Sequence, residues 1–194
     1  MTEIESILMR FLKQFDITEI DQQLIYSLSL QCRIQNYPKK IILSKEGSHN
    51  KYVFIIKKGF VRRYAISDGK DITLEFAQEN EMITSRYALV TGNPTIDYIE
   101  TIEDSVVLKF NFESIKELHS IYQIAPKIGN VLRDRYFLKL ENRILTLQKS
   151  SGEARYNDLL QNHEHILKRA SLGQIASYLG MTQENLSRIR AKKS

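Results

Sequence analysis

The spacing of apolar residues changes twice along this chain, and those two changes restrict its fold more than any single motif. Up to Leu28 the apolar positions recur at helical intervals, first Ile4, Ile7, Leu8, Phe11, Leu12 and Phe15, then Leu24, Ile25 and Leu28. From Arg33 to Phe110 the texture becomes short β-branched and aromatic runs, among them KIIL, YVFIIKKG, FVRRYAI, ITLEFA, YIETI and VVLKF, each ended by turn residues. Beyond Phe112 the helical spacing returns and persists. Such a chain is α+β, with an antiparallel sandwich or barrel between helices. SDGK, from Ser67 to Lys70, is the turn of a hairpin within it, because Gly69 accepts a positive φ.

Pro126 suits the first turn of a long helix that runs to about Lys149. Along it Ile124, Val131, Leu138 and Leu145 fall at intervals of seven, and Ile128, Arg135 and Asn142 form a second row beside them. A seven-residue apolar seam asks for a partner helix, with polar members at its edge or fixing its register. A second copy of the chain is the expected partner, through Ile124, Ile128, Val131, Leu138 and Leu145. The competing assignment packs the same stripe on the β-domain. Ser150, Ser151 and Gly152 then break the helix and make a hinge. The expected organisation is a β-domain over residues 1–121, a dimerisation helix over 122–149 and a small helical domain over 150–194.

The net charge of +5 is concentrated in that last part. From Ile166 onward Lys168, Arg169, Arg188, Arg190, Lys192 and Lys193 stand against Glu184 alone, while residues 1–165 are balanced. A located positive field is a nucleic-acid signature. Lys57, Lys58, Arg62 and Arg63, by contrast, read as a solvated strand face.

The terminal segment SLGQIASYLGMTQENLSRIRAKKS encodes two helices and a tight joint. Ser171 caps the first, whose inward face is Leu172, Ile175, Ala176 and Leu179; Gly180 ends it and Met181 fills the joint. Thr182 caps the second, with Leu186 and Ile189 facing inward. Small Ala176 lets the two backbones approach, as a helix-turn-helix requires. The other face carries Gln183, Glu184, Ser187, Arg188 and Arg190. Arginine pairs with guanine, glutamine with adenine, and glutamate accepts from cytosine. Thr182 lies at a helix N-terminus, which favours a phosphate.

Other classes are excluded by what the chain lacks. Cys32, its one cysteine, reads as a buried apolar filler and cannot build a disulfide or a cysteine-ligated cluster alone. Its four histidines, His49, His119, His163 and His165, are scattered, with His163 and His165 in a solvated loop, so no metal or other cofactor is expected. A metal-dependent barrel enzyme would need several histidines in the strand region, which holds His49 only; no enzymatic activity is expected. No apolar run reaches the roughly 18 residues of a membrane span, and the N-terminus lacks a leader-like apolar block. A cytoplasmic location follows as the expectation.

Tyr52 to Glu81, YVFIIKKGFVRRYAISDGKDITLEFAQENE, resembles the cyclic-nucleotide-binding β-roll of the Crp/Fnr family of bacterial transcription regulators, and ASYLGMTQENLSRIR, from Ala176, resembles that family's helix-turn-helix. The order of parts fits as well. The resemblance implies a jelly-roll-like β-roll, a dimerisation helix and a DNA-binding unit. It implies a homodimer on double-stranded, palindromic operator DNA, with RNA polymerase as a further partner. The family's base-contacting positions fall on Gln183, Glu184 and Arg188, and its phosphate-contacting cap on Thr182. Members usually carry a β-wing after the recognition helix; here residues 191–194 remain, so the wing is expected to be truncated or absent, with Lys192 and Lys193 supplying phosphate charge.

The resemblance also marks an effector pocket at Glu81, Arg86, Thr95 and Ile96. Cyclic-AMP binders of the family hold the ribose through the glutamate of a Gly-Glu pair and the phosphate through an Arg-Ser or Arg-Thr pair. Asn80-Glu81 stands at the first and Thr95-Ile96 at the second, with Arg86 in the same loop as a geometric substitute. A phosphate enclosed without its arginine loses a charge-assisted bidentate contact. Cyclic AMP is therefore not the expected ligand, and the effector is an unknown small molecule or none. Tyr64, Tyr87 and Tyr98 are further candidate lining residues. The alternative function is a ligand-sensing roll that regulates a protein partner through its last helices.

Overall fold

The structure is a computed structural model, and it describes residues 1–17 and 20–192. Lys193, one of the two lysines expected to meet phosphates, lies outside the described residues. Helices α1 (Glu3–Lys13) and α2 (Gln22–Leu30) precede strands β1 (Cys32–Tyr37), β2 (Ile42–Ser44), β3 (Tyr52–Lys58), β4 (Val61–Ser67), β5 (Lys70–Ala77) and β6 (Met82–Ile83). Then come α3 (Arg86–Thr91), β7 (Tyr98–Thr101) and β8 (Ser105–Asn111), followed by α4 (Phe112–Ile121), α5 (Ile124–Lys149), α6 (Gly152–Asn162), α7 (Glu164–Arg169), α8 (Leu172–Tyr178) and α9 (Gln183–Ala191).

Two antiparallel four-stranded sheets form the roll, in the orders β1-β8-β3-β6 and β2-β7-β4-β5. Strand β3 explains why one stretch of the sequence is continuously apolar. Its side chains alternate between two buried faces. Phe54 and Ile56 meet Val61, Ile99 and Val107 between the sheets. Val53 and Ile55 face the other way, onto Leu8, Phe11, Leu24 and Leu118 of the N-terminal helices and α4. The β4–β5 hairpin closes through Asp68 and Gly69, both at positive φ (51° and 73°), the turn that matches strand twist.

Helix α5 is 26 residues long, about 39 Å at the helical rise. Its first two turns are anchored: Ala125 and Ile128 are buried among α1, α2 and α4, with Ile124 and Leu132 packed against them. This corrects the expected seam at Ile128, which is 8% exposed and whose side chain is taken up inside its own protomer. Further along, the apolar side chains emerge, with Phe137 65%, Leu138 52% and Ile144 54% exposed.

Helices α6 to α9 form the C-terminal head, and their core is continuous with the roll. Tyr156, Leu159, Ile166, Ile175, Leu179 and Leu186 share one apolar cluster with Phe60, Phe76 and Ile102 of the roll. Phe60 stacks on Phe76, and Phe76 in turn meets Tyr178 of α8.

Candidate nucleic-acid interface and effector region

The two last helices are built as their sequence requires. Ser171 and Gln174 form a reciprocal capping box at the start of α8. Ile175, Ala176 and Leu179 are buried, and Leu172 is half-buried beside them. Gly180 takes φ +64° in the joint, where a Cβ would meet Leu147 at 3.0 Å, so a larger residue is opposed by backbone and packing together. The Met181 side chain packs against the core of the head. The Thr182 hydroxyl accepts the Asn185 N–H at 3.2 Å and starts α9. Leu186 and Ile189 anchor α9 from below.

What α9 leaves outside is the expected set. Thr182, Gln183, Glu184, Ser187, Arg188 and Arg190 are all exposed on the head. The Glu184 carboxyl is held below its usual range by hydrogen bonding at the helix N-terminus, first from its own backbone and then from Thr182. It is an acceptor at neutral pH. The arrangement can therefore offer donors and acceptors to a polar groove, from a helix fixed by its apolar underside.

Of the four expected effector residues, Glu81, Arg86 and Thr95 are each placed by contacts of their own. Glu81 accepts the Gln78 N–H at 2.9 Å and closes a turn. The Thr95 hydroxyl donates to the Lys45 carbonyl at 2.7 Å, and Ile96 is 56% exposed. Arg86 is occupied: it donates to buried Glu75 at 3.0 Å and its guanidinium lies 3.2 Å from the centre of the Tyr136 ring. Tyr64 and Tyr98 stack on each other with ring centres 5.0 Å apart, and Tyr87 is 41% exposed.

A network that sequence reasoning missed sits here instead. Glu75 of β5 also accepts from Arg63 at 3.4 Å and from Lys139 of α5 at 3.0 Å. Arg63 donates to Asp97 at 2.7 Å and to the Tyr136 hydroxyl at 3.2 Å. Burial works against a charge on Glu75, yet Arg86, Lys139 and Arg63 outweigh it and hold the carboxyl down at about 2. The roll, α3 and α5 are thus tied through one carboxylate. Ser85 Oγ and Asp97 Oδ1 are buried without a hydrogen-bond partner among the described residues.

The solvated face expected for Arg62 and Arg63 is also corrected. Arg62 is 6% exposed, paired with Asp71 at 2.6 Å and Glu100 at 3.0 Å. Lys57 pairs with Glu3 at 2.5 Å, with both side chains near the surface. His163 and His165 sit at the α6–α7 junction, and His165 meets the edge of Phe60 at 5.9 Å rather than a solvated loop. Among the described residues no cluster of three or more His, Cys, Asp or Glu side chains is placed to hold a metal ion. None of the helices among them is long and apolar enough to cross a membrane.

Residues 34–122 match the family model of the cyclic nucleotide-binding domain, and most of the chain shares the fold of solved Crp/Fnr-type structures. It is similar to FixK2 from Bradyrhizobium japonicum, with 24% identity, 83% of each chain covered and a TM-score of 0.69. It is similar to CLP, a c-di-GMP-responsive global regulator from Xanthomonas campestris, at 15% identity over 89% of this chain and 91% of that one, with a TM-score of 0.71. A structure assigned to Crp/Fnr transcriptional regulators, from Eubacterium rectale, shares 20% identity over 88% of this chain and 82% of its own, with a TM-score of 0.68. No curated protein matches the sequence.

Proposed function

We propose that the protein is a homodimeric, sequence-specific DNA-binding transcription regulator, with α9 as its reading helix. The observation that carries this reading is the two-sided build of α9: Leu186 and Ile189 are buried, and Gln183, Glu184, Ser187, Arg188 and Arg190, each able to address a base edge or a phosphate, are exposed. Arg188 is suited to guanine, Gln183 to adenine and Glu184 to the cytosine amino group. Thr182 brings the start of a nine-residue helix to a phosphate.

Dimerisation is supported by the second half of α5. Leu138 and Leu145 of the expected seam, together with Phe137 and Ile144, present an apolar surface that water does not favour and a second α5 would cover. Two heads held by paired helices meet DNA about 34 Å apart, one helical turn, and read a palindrome.

Cyclic AMP is not the effector in this reading. Its phosphate needs an uncommitted guanidinium inside the roll, whereas Arg86 is held by Glu75 and Tyr136, and Arg63 by Glu75 and Asp97. Ile96 turns to solvent.

Duplex DNA titrated against the protein at several salt concentrations tests the proposal. Release of counterions gives a log–log slope of about 0.9 per phosphate contact. A flat dependence would overturn it and favour docking of a protein partner by the same helices.

A further inference from the structure

We propose that Arg169 and Ser177 latch the head to the roll, and that this latch fixes the half-site spacing the dimer accepts on DNA; the spacing claim rests on the function proposed above. Arg169, at the end of α7, reaches three loops at one end of the roll. Its guanidinium donates to both oxygens of Glu79, in the β5–β6 loop, at 2.9 and 3.0 Å. It also donates to Glu103, in the β7–β8 turn, at 3.1 and 2.5 Å. Its third contact is the face of Phe60, in the β3–β4 turn, 4.6 Å from the ring centre. Glu79 is itself fixed by the Gly59 N–H at 2.8 Å.

The second anchor lies on α8. Strand β5 is the edge of its sheet, with one row of backbone groups unpaired by any strand. Ser177 fills that row locally: the Thr73 N–H donates to Ser177 Oγ at 2.8 Å, and the same hydroxyl donates to the Asp71 carbonyl at 3.0 Å. Between the two anchors run Phe60, Phe76 and Tyr178. The apolar contacts hold the head against the roll and the two polar anchors set its direction. Rotation about Ser150 and Ser151 would break both anchors together.

The latch leaves the outer face of α9 exposed, so its role is not to cover the reading surface. Its consequence is geometric. With α5 paired to a second α5, a head locked to the roll presents α9 at one position, and two such heads span one distance. A regulator built this way tolerates little change in operator spacing, and a change in the loop carrying Glu79 is passed directly to the head.

Amide hydrogen exchange on the full chain tests the latch without DNA. In Arg169→Ala and, separately, in Glu79→Gln, the Thr73 amide should exchange at least about tenfold faster, while Leu108 in the middle of the roll stays as protected as in the wild type. Thr73 protection unchanged in both variants would overturn the latch, and the Leu108 amide shows whether either variant has simply unfolded. Spacing is then read with duplexes selected from a random pool by the wild-type protein and re-spaced by one base pair. Wild-type affinity should fall steeply on re-spacing, and that of Arg169→Ala much less; equal discrimination by both proteins would overturn the spacing claim. Absence of any DNA binding by the wild type would remove the proposed function and leave the exchange result to stand by itself.

Discussion

At the scale of single residues, the chain separates positions whose role is fixed by chemistry from those fixed by neighbours. Cys32 belongs to the first kind: burial pushes its thiol up to about 12, so it should resist a thiol reagent in the native protein and react on unfolding. Arg188 belongs there too; Arg188→Ala should cost about 1–3 kcal/mol of DNA affinity and relax preference at one base pair, measured on a set of single-substitution duplexes. Gly59 is fixed by its neighbour. Its φ is +106°, and a Cβ would lie 2.3 Å from Ser105 Oγ and 2.6 Å from Ser105 Cα. Gly59→Ala should lower stability by on the order of 3 kcal/mol in a denaturant titration, from strain and overlap combined. The misread Arg62 shows where sequence stops at this scale. Its partner Glu100 lies directly across from it on β7, a strand with which β4 pairs at long range. Spacing along the chain carries no trace of that pairing, so a buried arginine looked like a solvated one.

Elements were readable in proportion to their length and the regularity of their burial. Strands β3, β4, β5 and β8, the long helix and the last two helices follow from period and capping residues. Strand β6 has two residues and α3 six, too few for a period to register. The exposed apolar face of α5 is half readable in the sequence: the seven-residue row holds Leu138 and Leu145, whereas Phe137 and Ile144 repeat the same interval one residue earlier, outside that row. Ile128 fell in the expected seam because a stripe does not say which of two surfaces covers it. These exposures give a clean test. Leu138 is 52% exposed in the protomer, so Leu138→Arg should fold normally and raise the dimer dissociation constant at least about tenfold, read by sedimentation. An unchanged dimer would move the interface off α5.

For the whole molecule, charge is the organising quantity. The located +5 pointed to the head, and the head is where the exposed polar helix stands. What composition could not reveal is that Arg169, counted as part of that field, is turned inward onto Glu79 and Glu103. Two carboxylates join the roll to its partners and give the fold an acid dependence. Glu75 and Glu79 are each held at about 2, burial opposing and arginine or lysine partners prevailing. A carboxyl depressed in the folded state stabilises above its ordinary value near 4.5 and loses that contribution as pH falls toward 2. Glu75, nearly enclosed, should contribute on the order of 3 kcal/mol, and Glu79, more than a third exposed, considerably less. Melting temperature should therefore drop steeply across that interval, and Glu75→Gln should flatten the drop. The proposed regulation of DNA depends on α9. Selection of bound fragments from random duplex DNA tests it most directly: a palindromic consensus with half-site centres about 10 base pairs apart is predicted, and recovery of fragments with no shared sequence would contradict it.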